Sequence, residues 1–210
     1  MAYRRTAFAP GEWYHCYTRG VEKRIVFENK DDYERFLEAL YLSNSTIQTP
    51  RGNFQHLSHV EVLQLPRSDA LVAIGAYCLM PNHFHLLIKE IRPGGITKFM
   101  QKVGTSYTMY FNIKRERVGG LFVTPFRSKH IHDDRYFQRV AQYIHLNPYE
   151  VVGLKKLREY RYSSFPDYYG EGRSVQTILD KEAFSLLSDT MPVVQKLVQE
   201  AKEYYATLKS

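Results

Sequence analysis

The sequence predicts an α+β fold of the ferredoxin-like sandwich class, βαββαβ with an antiparallel sheet and additional C-terminal helices. Three observations predict it. Strand-length β-prone runs begin near residues 13, 71, 83 and 121; helical periodicity separates the first from the second and the third from the fourth; and the turn Met80-Pro81-Asn82 joins the middle two so tightly that they must form a hairpin. In that topology the first and third strands are central and the last lies at an edge.

The first strand is the alternation Trp13 to Thr18, ended by Arg19-Gly20. Asp31 and Glu34 then have capping-box spacing, and Tyr33, Phe36, Leu37 and Leu40 recur at helical intervals until Asn44 and Ser45, which predicts a helix over 31–43. Residues 48–59 lack a period and contain Pro, Gly, Asn and Ser, so they read as a loop or flexible insertion, and Val60 to Leu65 reads as a short extra strand. Leu71 to Leu79 and His83 to Lys89 form the hairpin. A helix over 96–114 is carried by Ile96, Phe99, Met100, Val103, Tyr107, Tyr110 and Phe111, with Gly119-Gly120 beyond its end. Leu121 to Ile131 is strand-like, and Pro125 assigns it to an edge or a bulge. Asp133 and Asp134 can cap a further helix built on Tyr136, Phe137, Val140, Ala141 and Ile144 and stopped by Pro148. From about residue 151 come an aromatic loop (Tyr160, Tyr162, Phe165, Tyr168, Tyr169) and a charged helix over 180–208. The division is one domain over 1–170 and a helical extension over 171–210.

The balance of 29 Lys+Arg against 22 Asp+Glu, net +7, suits a polyanionic partner. Residues 97–130 hold most of the excess: Lys98, Lys102, Lys114, Arg115, Arg117, Arg127 and Lys129 against the single acid Glu116. A solvated helix face is the bland account of such a cluster. The two cysteines, Cys16 and Cys78, lie in apolar stretches without a neighbouring Cys and read as reduced core residues. The N-terminus lacks the apolar run of a signal peptide and no segment approaches bilayer-spanning length, so the expected compartment is the cytoplasm, with no membrane partner. No glycine-rich phosphate loop is present, which argues against nucleotide hydrolysis.

Chemistry concentrates at His83-Phe84-His85. On a strand, i and i+2 share a face with Cα atoms roughly 6.6 Å apart, so both imidazoles can converge on one ion while Phe84, Leu86 and Ile88 face the helices. Two satisfied histidines at a strand end are the ordinary alternative. His130-Ile131-His132 repeats the pattern at the edge strand, where it faces solvent or DNA. On the following helix Tyr143 and Asn147 are four apart and share the inward face with Tyr136 and Val140. A core tyrosine is the competing account, and Asn147 precedes Pro148, which disfavours the helical region and leaves its position unfixed by spacing.

Four segments, Tyr14-His15-Cys16-Tyr17-Thr18-Arg19-Gly20, Leu79 through Ile88 (LMPNHFHLLI), Phe126-Arg127-Ser128-Lys129 and Tyr143-Ile144-His145-Leu146-Asn147-Pro148, together resemble the single-tyrosine HUH transposases, IS200-like, and especially the branch associated with repetitive extragenic palindromes (REP). Tyr162-Ser163-Ser164-Phe165 resembles the segment that closes the domain there. The resemblance runs from about Tyr14 to Gly170. It implies a ferredoxin-like fold, a divalent cation held by His83 and His85 and assisted by Asn147, and Tyr143 as nucleophile. The sequence departs from that pattern at Val123-Thr124-Pro125, before Phe126, and in the length of 44–59.

What the resemblance implies is a DNA strand-transferase working through a 5′-phosphotyrosine on single-stranded or hairpin DNA, with Mg²⁺ or Mn²⁺. Two imidazoles and an amide suit Mn²⁺ at least as well as Mg²⁺. Arg19, Lys114, Arg115, Arg117, Arg127 and Lys129 are the candidate DNA contacts, and monomer and homodimer both stay open. A non-catalytic DNA-hairpin-binding protein on the same fold is the main alternative. A nuclease or a replication or conjugation initiator would usually carry its tyrosine before the histidines, and here it follows them.

Overall fold

The computed structural model describes residues 7–169, 178–190, 196 and 199. Its strands are β1 (Trp13–Arg19), β2 (Val72–Met80), β3 (His83–Glu90) and β4 (Arg127–Ile131). The helices are α1 (Lys30–Ser43), α2 (His59–Val62), α3 (Gly95–Lys114), α4 (Asp134–Leu146), α5 (Tyr149–Val152), α6 (Phe165–Tyr169) and α7 (Lys181–Thr190). The sheet is antiparallel in the order β2-β3-β1-β4, so the first and third strands are central as the connectivity requires.

The period of two sorts side chains onto two faces. One face of β1 and β3, with Tyr14, Cys16, Phe84, Leu86 and Ile88, packs against Phe36, Leu37 and Leu40 of α1 and Phe99, Val103 and Tyr107 of α3. Phe84 is fully buried there, with its ring 4.7 Å from Phe36, a burial that stabilises by about 2–3 kcal/mol. On the opposite face Ala76, Cys78, Met80, Leu87 and Ile131 pack against Phe137, Val140, Ala141 and Ile144 of α4 and Leu187 of α7. Helix α4 is therefore held on the sheet face that carries the odd-numbered side chains of β1 and β3.

Local starts follow capping chemistry. Asn29, not Asp31, caps α1 by accepting from the Asp32 amide, and Asp133 caps α4 by accepting from the Tyr136 amide at 2.7 Å. Val60–Leu65 is not a strand. Ser58 and Glu61 form a capping box that starts the short helix α2, and Val62 is buried by it. Residues 48–59 are pinned rather than loose: the Arg51 Nε donates to Glu38 at 2.6 Å, and its guanidinium also reaches the Leu57 and Phe54 carbonyls. In the run Leu121 to Ile131 the regular strand begins only at Arg127, after a cis Thr124–Pro125 bond, and it forms the edge of the sheet.

The other edge is covered. Residues 162–164 lie along β2, where the Leu79 amide donates to the Tyr162 carbonyl (2.8 Å) and the Ser164 amide to the Tyr77 carbonyl (2.9 Å). The aromatic loop closes the core: Tyr162 stacks on Tyr33 at 3.8 Å, and the Tyr160 and Tyr168 hydroxyls donate to the Leu79 and Gly75 carbonyls. Of the expected helix over 180–208, α7 accounts for the described part, and the rest falls largely outside the described residues. Among the described residues no helix is long and apolar enough to cross a membrane.

Candidate active site

The α4 face of the sheet is apolar at β2 and aromatic-polar at β1 and β3. His15 and Tyr17 project from β1, His83 and His85 from β3; Tyr17 lies directly opposite His85 and Arg19 opposite His83. The His83 and His85 rings are 5.1 Å apart and nearly perpendicular. Tyr143, on the third turn of α4, stands edge-on to His85 at 5.4 Å and to His15 at 5.9 Å. Its side chain keeps 40% exposure, so an incoming group can reach it. The H-x-H pair and the tyrosine, 60 and 58 residues apart in sequence, thus meet because α4 packs across the strand carrying the histidines.

Each histidine has a defined hydrogen bond through Nδ1. His83 Nδ1 is 2.6 Å from the Asn82 amide oxygen, an acceptor, so Nδ1 carries the proton and Nε2 the lone pair. His85 Nδ1 is 2.8 Å from His15 Nε2. Burial holds the His85 imidazole well below the ordinary histidine range, with His15 and His83 adding to the effect. Burial, then the Lys129 charge, lowers His15 to about 4. Both rings are neutral at pH 7, the form in which an imidazole can bind a cation.

Asn147 keeps the right-handed helical region (φ −49°, ψ −42°) despite Pro148, so the spacing of four from Tyr143 holds. Its amide Nδ2–H donates to the Tyr143 carbonyl at 2.8 Å, which leaves the amide oxygen as its remaining polar atom. His145, between the two, points the other way into full burial, where Nε2 lies 2.8 Å from the Ser164 hydroxyl. Burial lowers it to about 3. This contact ties the last turn of α4 to the strap along β2. His145 Nδ1 is the one buried side-chain polar atom without a hydrogen-bond partner among the described residues.

A groove of about 410 Å³ opens beside the rings, lined by His15, Tyr17, His85, Lys129, Tyr136, Arg139, Val140 and Tyr143. Lys129 pairs in register with His15 and Arg127 with Tyr17, so both bases share the histidines' face. Arg139 is one turn before Tyr143. Tyr136 and Arg139 also line an adjoining groove of about 550 Å³ with His132, Asp133, Asp134 and Arg135.

The six basic residues expected to meet DNA fall into two groups. Arg19, Arg127 and Lys129 border the histidine face. Lys114 and Arg115 end α3 on the other side of the sheet, where both hold the fully buried Asp32 carboxylate and Arg115 also holds Glu28. Arg117 donates to Asn112 and to the Gly119 and Gly120 carbonyls, fastening the turn after α3. Sequence reasoning missed His15, Tyr17 and Arg139. The spacing Arg139 to Tyr143 could have found the last, whereas His15 needed the pairing of β1 with β3. His130 and His132 are exposed and bonded to Glu12 and Asp133.

For a divalent cation, the candidate donors are the imidazoles of His83, whose Nε2 bears the lone pair, and His85, with the Asn147 amide oxygen one turn beyond Tyr143, a set whose chemistry fits a borderline or hard ion. Among the described residues no group of three or more His, Cys, Asp or Glu is arranged to hold a metal ion.

Residues 60–147 match the family described as "Transposase IS200 like". Among solved structures, the chain is similar to one described as "Structure of the REP associates tyrosine transposase bound to a REP hairpin", with 14% identity, TM-score 0.55, and coverage of 85% of this chain and 89% of that one. At that identity the likeness concerns the fold. No curated protein sequence matches this one.

Proposed function

We propose, for a chain whose residues 60–147 belong to the IS200-like transposase family, that it cleaves and rejoins single-stranded DNA through a covalent bond to Tyr143. The observation that carries this reading is the meeting of a half-exposed tyrosine with two neutral imidazoles in a groove edged by Arg127, Lys129 and Arg139. The relative of the same fold is bound to a REP hairpin, and a single strand or hairpin is the substrate proposed here.

A phenol is a weak nucleophile at neutral pH, with a pKa of about 10, so position and phosphate activation matter more than intrinsic reactivity. Helix α4 supplies position, since its packing fixes Tyr143 against His85. The bases hold the strand by its phosphates. Mg²⁺ or Mn²⁺, held by His83 and His85 with Asn147 assisting, would neutralise charge on the attacked phosphate and on the departing 3′ oxygen. The Tyr143 oxygen forms a bond to phosphorus as the bond to the 3′ oxygen breaks; the phenol loses its proton and the 3′ oxygen gains one. Phosphoester number is conserved, so the reverse reaction rejoins strands without a nucleotide cofactor.

The test is incubation of the protein with labelled single-stranded DNA bearing palindromic repeats and Mn²⁺ or Mg²⁺, scored for an adduct that survives denaturation. The adduct is expected with native protein and absent with Tyr143→Phe and His83→Ala. Hairpin binding with no adduct in either metal would instead support a non-catalytic DNA-binding protein.

A further inference from the structure

The contact between His15 and His85 has a direction that a cation at His85 would depend on. Two ring nitrogens 2.8 Å apart hold one proton between them. If His15 donates, His85 Nδ1 spends its lone pair on that bond and Nε2 carries the hydrogen, so the ring has no lone pair left for a metal. If His85 donates, Nε2 keeps its lone pair and His15 is the acceptor. His83 reaches the same tautomer by a different partner, its Nδ1 donating to the Asn82 side-chain amide oxygen. We propose that His15 is a positioning residue that accepts the Nδ1 proton of His85 and so fixes the tautomer and ring plane of His85 for cation binding through Nε2.

The surroundings support a dedicated role. His15 is 6% and His85 5% exposed, so water is a poor substitute for either partner. Tyr17 stacks on both rings, 4.9 Å from His15 and 5.4 Å from His85, and restricts rotation of each. His15 also lies on a central strand, whose backbone is fixed by pairing on both sides. Residues beyond the ligands that hold a metal-binding histidine by its second nitrogen typically change affinity by about 10–100-fold when removed. A carboxylate or carbonyl is the usual acceptor; here a second imidazole fills that place.

This inference rests on the reading of His83 and His85 as cation ligands, and the experiment separates the two. Mn²⁺ affinity is measured on the full chain without DNA for native protein, His15→Leu, His15→Gln and His85→Ala, with ¹⁵N imidazole shifts of His85 recorded in the metal-free native protein. The expected result is an Nδ1-protonated His85, a dissociation constant roughly 10–100-fold weaker in His15→Leu, near-native affinity in His15→Gln through its amide oxygen, and binding abolished in His85→Ala. If His85→Ala binds Mn²⁺ like the native chain, the ligand reading fails. If His85→Ala loses binding while His15→Leu keeps it, or if His85 carries its proton on Nε2, the role of His15 is overturned. The tautomer measurement decides the matter even where His15→Leu does not fold.

Discussion

On the sheet face turned to α1 and α3, β1 and β3 present Tyr14, Cys16, Phe84, Leu86 and Ile88; on the face turned to α4 the same two strands present His15, Tyr17, His83 and His85. The first face is filled by aromatic and aliphatic rings, and its charges are neutralised at the rim, with Asp32 held by Lys114 and Arg115 and Glu38 by Arg51, Arg35 and His59. The second face gives up part of its apolar packing to crowd imidazoles and phenols beside exposed bases. Buried polar groups without charge partners do little for stability, so their clustering points to recognition or chemistry. One alternation of period two thus builds both the support and the site.

The comparison predicts that the faces fail in different ways. The largest effect is expected from Asp32→Ala, which strands Lys114 and Arg115. Breaking a fully buried ion pair costs about 3–5 kcal/mol, and since these two bases stay partly in water the expected loss is roughly 2–3 kcal/mol by denaturant unfolding. Mn²⁺ affinity should stay native, and a variant that unfolds no more easily than the native chain would break the division of labour.

Acid should expose the same network. Burial raises the Asp32 pKa, but Lys114, the Glu28 amide and Tyr110 outweigh it and hold the carboxyl below its ordinary value. A carboxyl whose folded pKa is depressed binds its proton first in the unfolded chain, so its stabilisation is present above about pH 4 and is lost as pH falls through the folded pKa. Unfolding free energy measured from pH 5 to pH 2 should fall more steeply for native protein than for Asp32→Asn. Equal slopes would remove Asp32 from the account.

The smallest effect sharpens the comparison for the bases. Loss of one phosphate contact lowers the salt dependence of single-strand binding by about 0.7 in the log–log slope. Lys129→Ala and Arg139→Ala should each show it, while Lys114→Ala should leave the slope unchanged and lower stability instead. A reduced slope in Lys114→Ala would bring the α3 side into the DNA path.

The βαββαβ order was legible because hydrophobic period and turn residues are local signals, and strand order then follows from connectivity. The convergence of His83, His85 and Tyr143 on one face was legible too, since the two spacings i+2 and i+4 each fix a face. Lys114 and Arg115 were harder, because a charge cluster in sequence carries no information about which carboxylates lie opposite, and their partners Asp32 and Glu28 are more than 80 residues away. Val60–Leu65 misled because a short apolar run fits a strand or a helix, and the Ser58–Glu61 capping box decided it.

By itself the sequence determined the order of the main strands and helices, the capped start of α4 and the two-faced alternation of the central strands, all set by interactions within a few residues. Only the tertiary structure decided that His15, 70 residues from His85, would share its ring nitrogen's proton, and that Lys114 and Arg115 would neutralise the carboxylates of the support instead of facing a ligand. Hydrogen bonds and ion pairs between distant segments depend on register and helix docking, which no local pattern encodes.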